Sequence, residues 1–380
     1  MNLSRQSPFI TDLPESHRIL RSRDFDVVDL AAALRKIEAA SGHPLPHAIA
    51  MAERLLFLSP GSQPETRRAI WYSFFRSDNI RHWDGEIKRL AAEEIEKLPA
   101  SAEVDLVARY VFPFVALTNC RVLGLPEAFF LKYDAWAADI ARFGAPILSI
   151  AEARRIDRAA GEFAATLRSH LAKPFEPPLP APSFHDYLTQ RHPGEDGAEE
   201  CIWSLVAIHQ NAKSIYPSLA NALHRVAASS RQHREKLLRA KSVEAEWNAL
   251  INRSAAVLHV PRVAQAPSTA AGQAVAAGEV INVGLHQPDD LPGATGCPFG
   301  HSAPGTTIDE TPSATSLSLA FGAGPHRCIA EDLARRVIRH GITALLRKFP
   351  HFRLTAPPRF QGNERWLSGP SMVKCILDPP

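Results

Sequence analysis

From residue 29 to about 253, apolar residues recur at the three- and four-residue spacing of helices that turn one face to a core. The pattern predicts helices over 46–57, 66–76, 79–98, 103–122, 127–142, 151–171, 199–229 and 231–253. Another is predicted over 329–349, where Leu333, Val337, Ile338, Ile342, Leu345 and Leu346 form the stripe. Beyond 253 the pattern changes, and 257–263, 280–285 and the tail 352–377 are the best strand candidates. The proline-rich stretch 173–183 cannot continue a helix and reads as a linker. No internal repeat is visible, so the chain is expected to be mainly α with a minor β portion.

With 380 residues, 45% hydrophobic and 22% charged, the chain can bury a large core as one domain or two. A net charge of +3 is too small to argue for nucleic acid or an anionic membrane as partner. The first 18 residues lack a continuous apolar segment, and no run approaches bilayer-spanning length. A cytoplasmic protein is expected. The cysteines at 120, 201, 297, 328 and 375 are scattered, which argues against a disulfide framework or a zinc site. Cys120 and Cys201 lie in apolar helical contexts and read as core residues, and Cys297 has no assigned role.

Cys328 stands apart. In Phe321-Gly-Ala-Gly-Pro-His-Arg-Cys328-Ile-Ala, Gly322 and Gly324 permit a tight bend immediately before a helix. The sulfur is therefore predicted beside unpaired N–H groups and a positive helix end, an environment that stabilises a thiolate. A structural turn carrying a buried free cysteine is the simpler alternative.

The Phe-x-x-Gly-x-x-x-Cys-x-(small) spacing, followed by Leu333-Ala334-Arg335, resembles the haem-ligand loop (321–330) of the cytochrome P-450 family. Ala330 stands where that family usually has glycine. The resemblance runs from about Arg18 to the C-terminus, through Val104-Asp-Leu-Val-Ala-Arg-Tyr-Val-Phe-Pro, Val122-Leu-Gly-Leu-Pro and Ala277-Gly-Glu-Val-Ile, in the family's order. It implies one domain of the triangular-prism P-450 fold over 1–380. It also implies haem b (iron protoporphyrin IX), with Cys328 as the metal ligand and Phe321 and Gly322 packed close to it. Because residues before Arg18 are few, the opening helix and first strands are expected to be missing or abbreviated, leaving a shortened N-terminal sheet.

Haem propionates need cationic or donor groups along one edge. By resemblance these are Gln63 and Arg67, in place of His-x-x-x-Arg, together with Arg262 and His326. The distal helix, about 199–229, departs from the family. Leu205-Val-Ala-Ile-His-Gln-Asn aligns with its Ala-Gly-x-(Asp/Glu)-Thr and puts Gln210 at the acid and Asn211 at the alcohol. A carboxamide does not ionise near neutral pH, so the usual proton relay is absent. His209 beside them reads as a packing histidine. A second departure falls where the family has Glu-x-x-Arg: Ala249 takes the glutamate position and Asn252 the arginine position.

The resemblance implies an oxidoreductase, monooxygenase-like, that oxidises a small organic or peptide substrate in secondary metabolism, with Gln210 and Asn211 as atypical catalytic positions. Electrons would come from a ferredoxin or flavodoxin, drawn to Arg327, Arg335, Arg336 and Arg339. Three alternatives stay open: a peroxide-dependent or non-monooxygenase haem-thiolate enzyme (rearrangement, dehydration or coupling), a non-catalytic docking module of the same fold, and an unrelated helical binding protein.

Overall fold

Fifteen α-helices follow one another in the computed structural model, which describes residues 8–60, 62–126, 129–140, 142, 148–171, 179–239, 244–286, 317–360 and 366–378. They are α1 Leu13–Arg21, α2 Leu30–Ser41, α3 Pro46–Ala52, α4 Ser62–Phe75, α5 Ser77–Ile80, α6 Asp84–Glu96, α7 Phe112–Leu123 and α8 Phe129–Ile140. After these come α9 Ile150–His170, α10 Phe184–Arg191, α11 Glu195–Ala212, α12 Ile215–Ala228, α13 Arg231–Leu238, α14 Glu244–Ser254 and α15 Glu331–Lys348. None of the described helices is long and apolar enough to cross a membrane. The chain divides into two compact units, one of residues 1–26, 87–115 and 214–380, the other of 27–86 and 116–213.

The first unit holds a four-stranded sheet in the order β1, β7, β4, β2, where β1 is Phe9–Ile10, β2 Phe25–Asp26, β4 His259–Ala264 and β7 Val280–Gly284. β4 and β7 pair antiparallel from His259 opposite Gly284 to Val263 opposite Val280, while Asp26 of β2 lies opposite Val263. The sheet core contains Ile10, Ile19, Leu20, Phe25, Ile281 and Val283, and it also takes in Leu319 and Ala323 from the cysteine loop. Burial of those two residues fixes the loop to the sheet. In the same unit α12 packs on α14 and α15. An added Cβ on Gly341 would meet Phe114 at 3.0 Å and Leu219 at 3.1 Å, and the Gly341 carbonyl accepts from Tyr110 Oη at 2.7 Å.

In the second unit α9 packs against α3, α8 and α11. Leu45 offers no side-chain cap to α3. Asp157 of α9 supplies one instead, accepting from the amides of His47 and Ala48 at 2.8 and 2.9 Å and satisfying two donors that a helix start leaves open. Gly161 allows the close approach, since a Cβ there would lie 2.6 Å from the His47 ring.

Several predicted boundaries differ. The span 199–229 is two helices, α11 and α12, because Pro217 cannot donate to the carbonyl four residues back and its ring crowds that carbonyl. The span 103–122 opens as strand β3 (Glu103–Asp105), paired with β11 (Lys374–Ile376), and then as a π-helical turn over Val107–Val111. Pro113 removes the i→i−4 donor there, and the Phe112 amide bonds instead to Val107. The span 231–253 separates into α13 and α14, with 240–243 outside the described residues. β1 and β2 are two residues each, and between them lies α1, capped by Asp12, which accepts from the Glu15 amide at 2.9 Å. α2 and α10 escaped the periodicity reading. Asp29 and Gly42 bracket α2, and a Ser183–Asp186 capping box opens α10.

Candidate functional site

The loop before α15 is shaped by its backbone. Gly322 and Gly324 take φ of 71° and 67°, in the left-handed region that disfavours side chains. A Cβ on Gly324 would sit 2.3 Å from the Leu20 carbonyl oxygen, so only glycine lets the loop lie against α1. The Gly322 amide donates to Leu319 at 2.7 Å, and the Cys328 amide closes the loop onto the Phe321 carbonyl at 2.8 Å. Cys328 ends up exposed, three residues before the start of an 18-residue helix whose N-cap, Ala330, has no side-chain hydrogen bond. The free amides of that first turn and the helix dipole favour an anion nearby. Among the described cysteines the other three are buried. Burial pushes the Cys375 thiol up to about 12 and raises that of Cys201, so neither is a thiolate near neutral pH.

Two more predicted positions join Cys328, Phe321 and Gly322 in the same unit. Arg262, opposite Ile281 in the β4–β7 ladder, is buried, and its Nη1 donates to the Pro261 carbonyl at 2.8 Å. Burial lowers its pKa to about 10 against the opposing field of Asp26. Asp26 also lies 3.6 Å from His326 Nε2. A half-buried carboxylate thus sits beside both the guanidinium and the imidazole. Asp26 escaped the sequence reading, because pairing of β2 with β4 brings it to Arg262 and nothing local to residue 26 announces that pairing.

The remaining predicted positions belong to the second unit. Gln63 lies in α4 and Asn211 in α11, and both side chains are outside the described residues. Arg67 donates through Nε to Glu200 and through Nη1 to the Glu53 carbonyl, both at 2.9 Å. Burial raises the Glu200 pKa, but Arg54 and Arg67 outweigh it and hold the carboxyl below its ordinary value. Gln210 is buried and its Nε2 donates to His209 Nδ1 at 3.1 Å, which leaves the ring proton on Nε2. The His209 ring meets Phe163 edge-on at 4.6 Å. Burial, assisted by the Lys213 charge, drops its pKa to about 3, so it stays neutral.

The arginines expected to draw an acidic carrier are engaged within the chain. Arg327 donates twice to Glu331, at 2.9 and 2.8 Å, and Arg339 pairs with Glu244 at 2.9 Å. Arg335 is bound to Glu331 and α14.

A thiol presented at a helix start, a backbone cradle that excludes side chains, and a buried guanidinium and a histidine that share Asp26 form a donor set that fits a metal-bearing, doubly anionic planar group. No family model matches the chain. Cytochrome P450 105C1 of a Streptomyces species is 27% identical over 309 residues, spanning 78% of this chain and 74% of that protein. Among solved structures, CalO2 superposes with a TM-score of 0.77 at 17% identity, over 99% of this chain and 92% of its own. Epothilone D-bound cytochrome P450epoK gives 0.75 at 20% identity over 99% and 92%, and Mycobacterium smegmatis CYP164A2 gives 0.74 at 20% over 97% and 90%.

Proposed function

The chain is a member of the cytochrome P450 family, and from that premise we propose that it is a haem-thiolate oxidoreductase acting on a small organic molecule of the secondary-metabolite class. The observation that carries this is the cysteine loop: one accessible sulfur at a helix start, in a turn that two left-handed glycines hold open. Bound iron protoporphyrin IX supplies the oxidative chemistry, and a thiolate ligand donates the electron density that favours O–O cleavage.

In this reading Cys328, exposed at the start of α15, would ligate the iron. Arg262 and His326 would donate to propionates. Asp26 faces His326 across 3.6 Å on the same side of the loop. By resemblance Gln63 and Arg67 are further candidate donors, and within the second unit Arg67 is bound to Glu200. The substrate class is supported by relatives whose structures hold epothilone D and tirandamycin C. A ferredoxin or flavodoxin would deliver electrons.

Gln210 and Asn211 replace the acid and alcohol of the proton relay. Since Gln210 is un-ionisable and already bonded to His209, protons must travel through water or substrate groups. That bond favours a second reading in which peroxide, rather than oxygen and electrons, is the oxidant. Stopped-flow mixing of reduced enzyme with oxygen and of resting enzyme with peroxide separates the two, according to which arm forms product.

The primary test is optical. Haem-reconstituted protein, reduced and exposed to carbon monoxide, is expected to show the red-shifted Soret band of thiolate ligation, and Cys328→Ser to lose it. A wild-type protein without that band, or a serine variant that keeps it, overturns the assignment.

A further inference from the structure

Resting on the assignment of Cys328 as the iron ligand, we propose that Arg335 is a positioning residue, clamping the cysteine loop between α15 and a pair of asparagines on α14. Its planar guanidinium is engaged around its rim. Nε donates to Glu331 Oε1 at 3.0 Å, Nη1 to Asn248 Oδ1 at 3.0 Å and Nη2 to Asn252 Oδ1 at 3.0 Å. Asn248 and Asn252 are four residues apart on one helical face, a spacing that matches the guanidinium fork. The guanidinium carbon stands 4.8 Å from the centre of the Phe321 ring, within cation–π range. Phe321 is the residue whose carbonyl accepts from the Cys328 amide at 2.8 Å.

The other side of the loop reaches the same node. Arg327, immediately before Cys328, donates twice to Glu331 Oε2, while Glu331 Oε1 holds Arg335 at 2.9 Å. Residues on both flanks of the ligand loop are therefore tied through Glu331 and Arg335 to α14. Where the family has Glu-x-x-Arg, this chain has Ala249 and Asn252, so what α14 offers Arg335 is a pair of neutral amide oxygens.

A lysine at 335 is a point donor that cannot span both asparagines or lie flat on Phe321. Second-layer partners of metal ligands typically change metal affinity by roughly 10–100-fold when removed. Arg335→Met and the Asn248→Ala/Asn252→Ala double variant are each expected to speed haem dissociation by a factor in that range. Both should also convert the red-shifted ferrous carbon-monoxide band to the unshifted form faster than wild type. Their combination should add little to either alone, because the three residues act as one unit. Arg335→Lys should fall on the side of Arg335→Met, and far-ultraviolet circular dichroism of the haem-free chains should match throughout. Wild-type dissociation and band stability in either variant, or full additivity, overturns the clamp while the Cys328 assignment stands. A wild-type protein lacking the band overturns both.

Discussion

In the cysteine loop the backbone is bent by two left-handed glycines, and Cys328 is left exposed. Around Gln210 the backbone is regular helix, and the side chains close on one another: amide to imidazole, imidazole to Phe163, and Phe163 stacked on Trp136 at 4.9 Å. The loop is specified by the conformations its own residues permit. The α11 stretch is specified by partners from α8 and α9, and its polar groups are spent on packing. Within one chain, an exposed thiol is thus presented by backbone conformation, while the side chains of His209 and Gln210 are held in place by burial.

The largest expected effect breaks the second half of that contrast. Phe163→Ala removes the ring between Trp136 and His209, a truncation that costs about 3–5 kcal/mol in a packed interior. With water admitted, the His209 pKa should climb from about 3 toward its ordinary value. Urea unfolding reads the first effect and a histidine NMR titration the second. A small loss with no change in titration would mean that α11 is not closed by this cluster.

The first half is tested by comparing two glycines. Gly322→Ala incurs chiefly the left-handed penalty, about 1–2 kcal/mol, because its Cβ would meet nothing nearer than the His326 oxygen at 3.8 Å. Gly324→Ala adds to that penalty an overlap with the Leu20 carbonyl, so thermal unfolding of the holoprotein should show the larger loss at 324. Equal losses would remove the close approach to α1 from the account of the loop.

The same contrast governs what the sequence revealed. The bend at Gly322 and Gly324 and the helix after Cys328 are legible because a turn followed by a helix is written in adjacent residues. Arg262 and His326 are singled out by their order along the chain, as the resemblance implies, but Asp26, which lies near both, depends on a strand pairing between distant segments. The helical character of α11 was legible, while its end was misplaced because Pro217 was weighed less than the apolar period. The caps at Asp29 and Ser183 are local signals as well, each a short polar side chain three residues before the amide it accepts from. The Gln210–His209 bond had no sequence signal beyond adjacency, since neighbouring helical side chains ordinarily diverge.

A pH series sharpens the description of α11. The folded pKa of His209, about 3, lies below the ordinary 6.5, so the unfolded chain binds more protons between those values. The resulting stability is fully present above about pH 6.5 and is lost as pH falls toward 3. At pH 5 the expected loss from this residue is about 2 kcal/mol. His224 on α12, held down to about 4 by burial and by Arg225, contributes with the same sign. Urea midpoints at pH 7 and pH 5 should therefore differ less in His209→Leu than in wild type. An unchanged difference would show that His209 titrates in the folded protein as it does in the unfolded one.

The smallest effect concerns exposed charge. Arg327–Glu331 beside the cysteine and Arg168–Glu199 between α9 and α11 are both short two-point contacts with arginines more than a third exposed. Solvent screens such pairs to about 0–1 kcal/mol, whatever their place in the fold. Arg327→Gln and Arg168→Gln should each shift the urea midpoint slightly, by similar amounts, and less in high salt. Equivalence would locate the rigidity of the loop in its glycines and in the Arg335 fork. A loss at Arg327 well beyond that at Arg168 would mean that this ion pair belongs to the loop's architecture, because only a contact coupled to the Cys328 backbone can exceed what an isolated surface pair contributes.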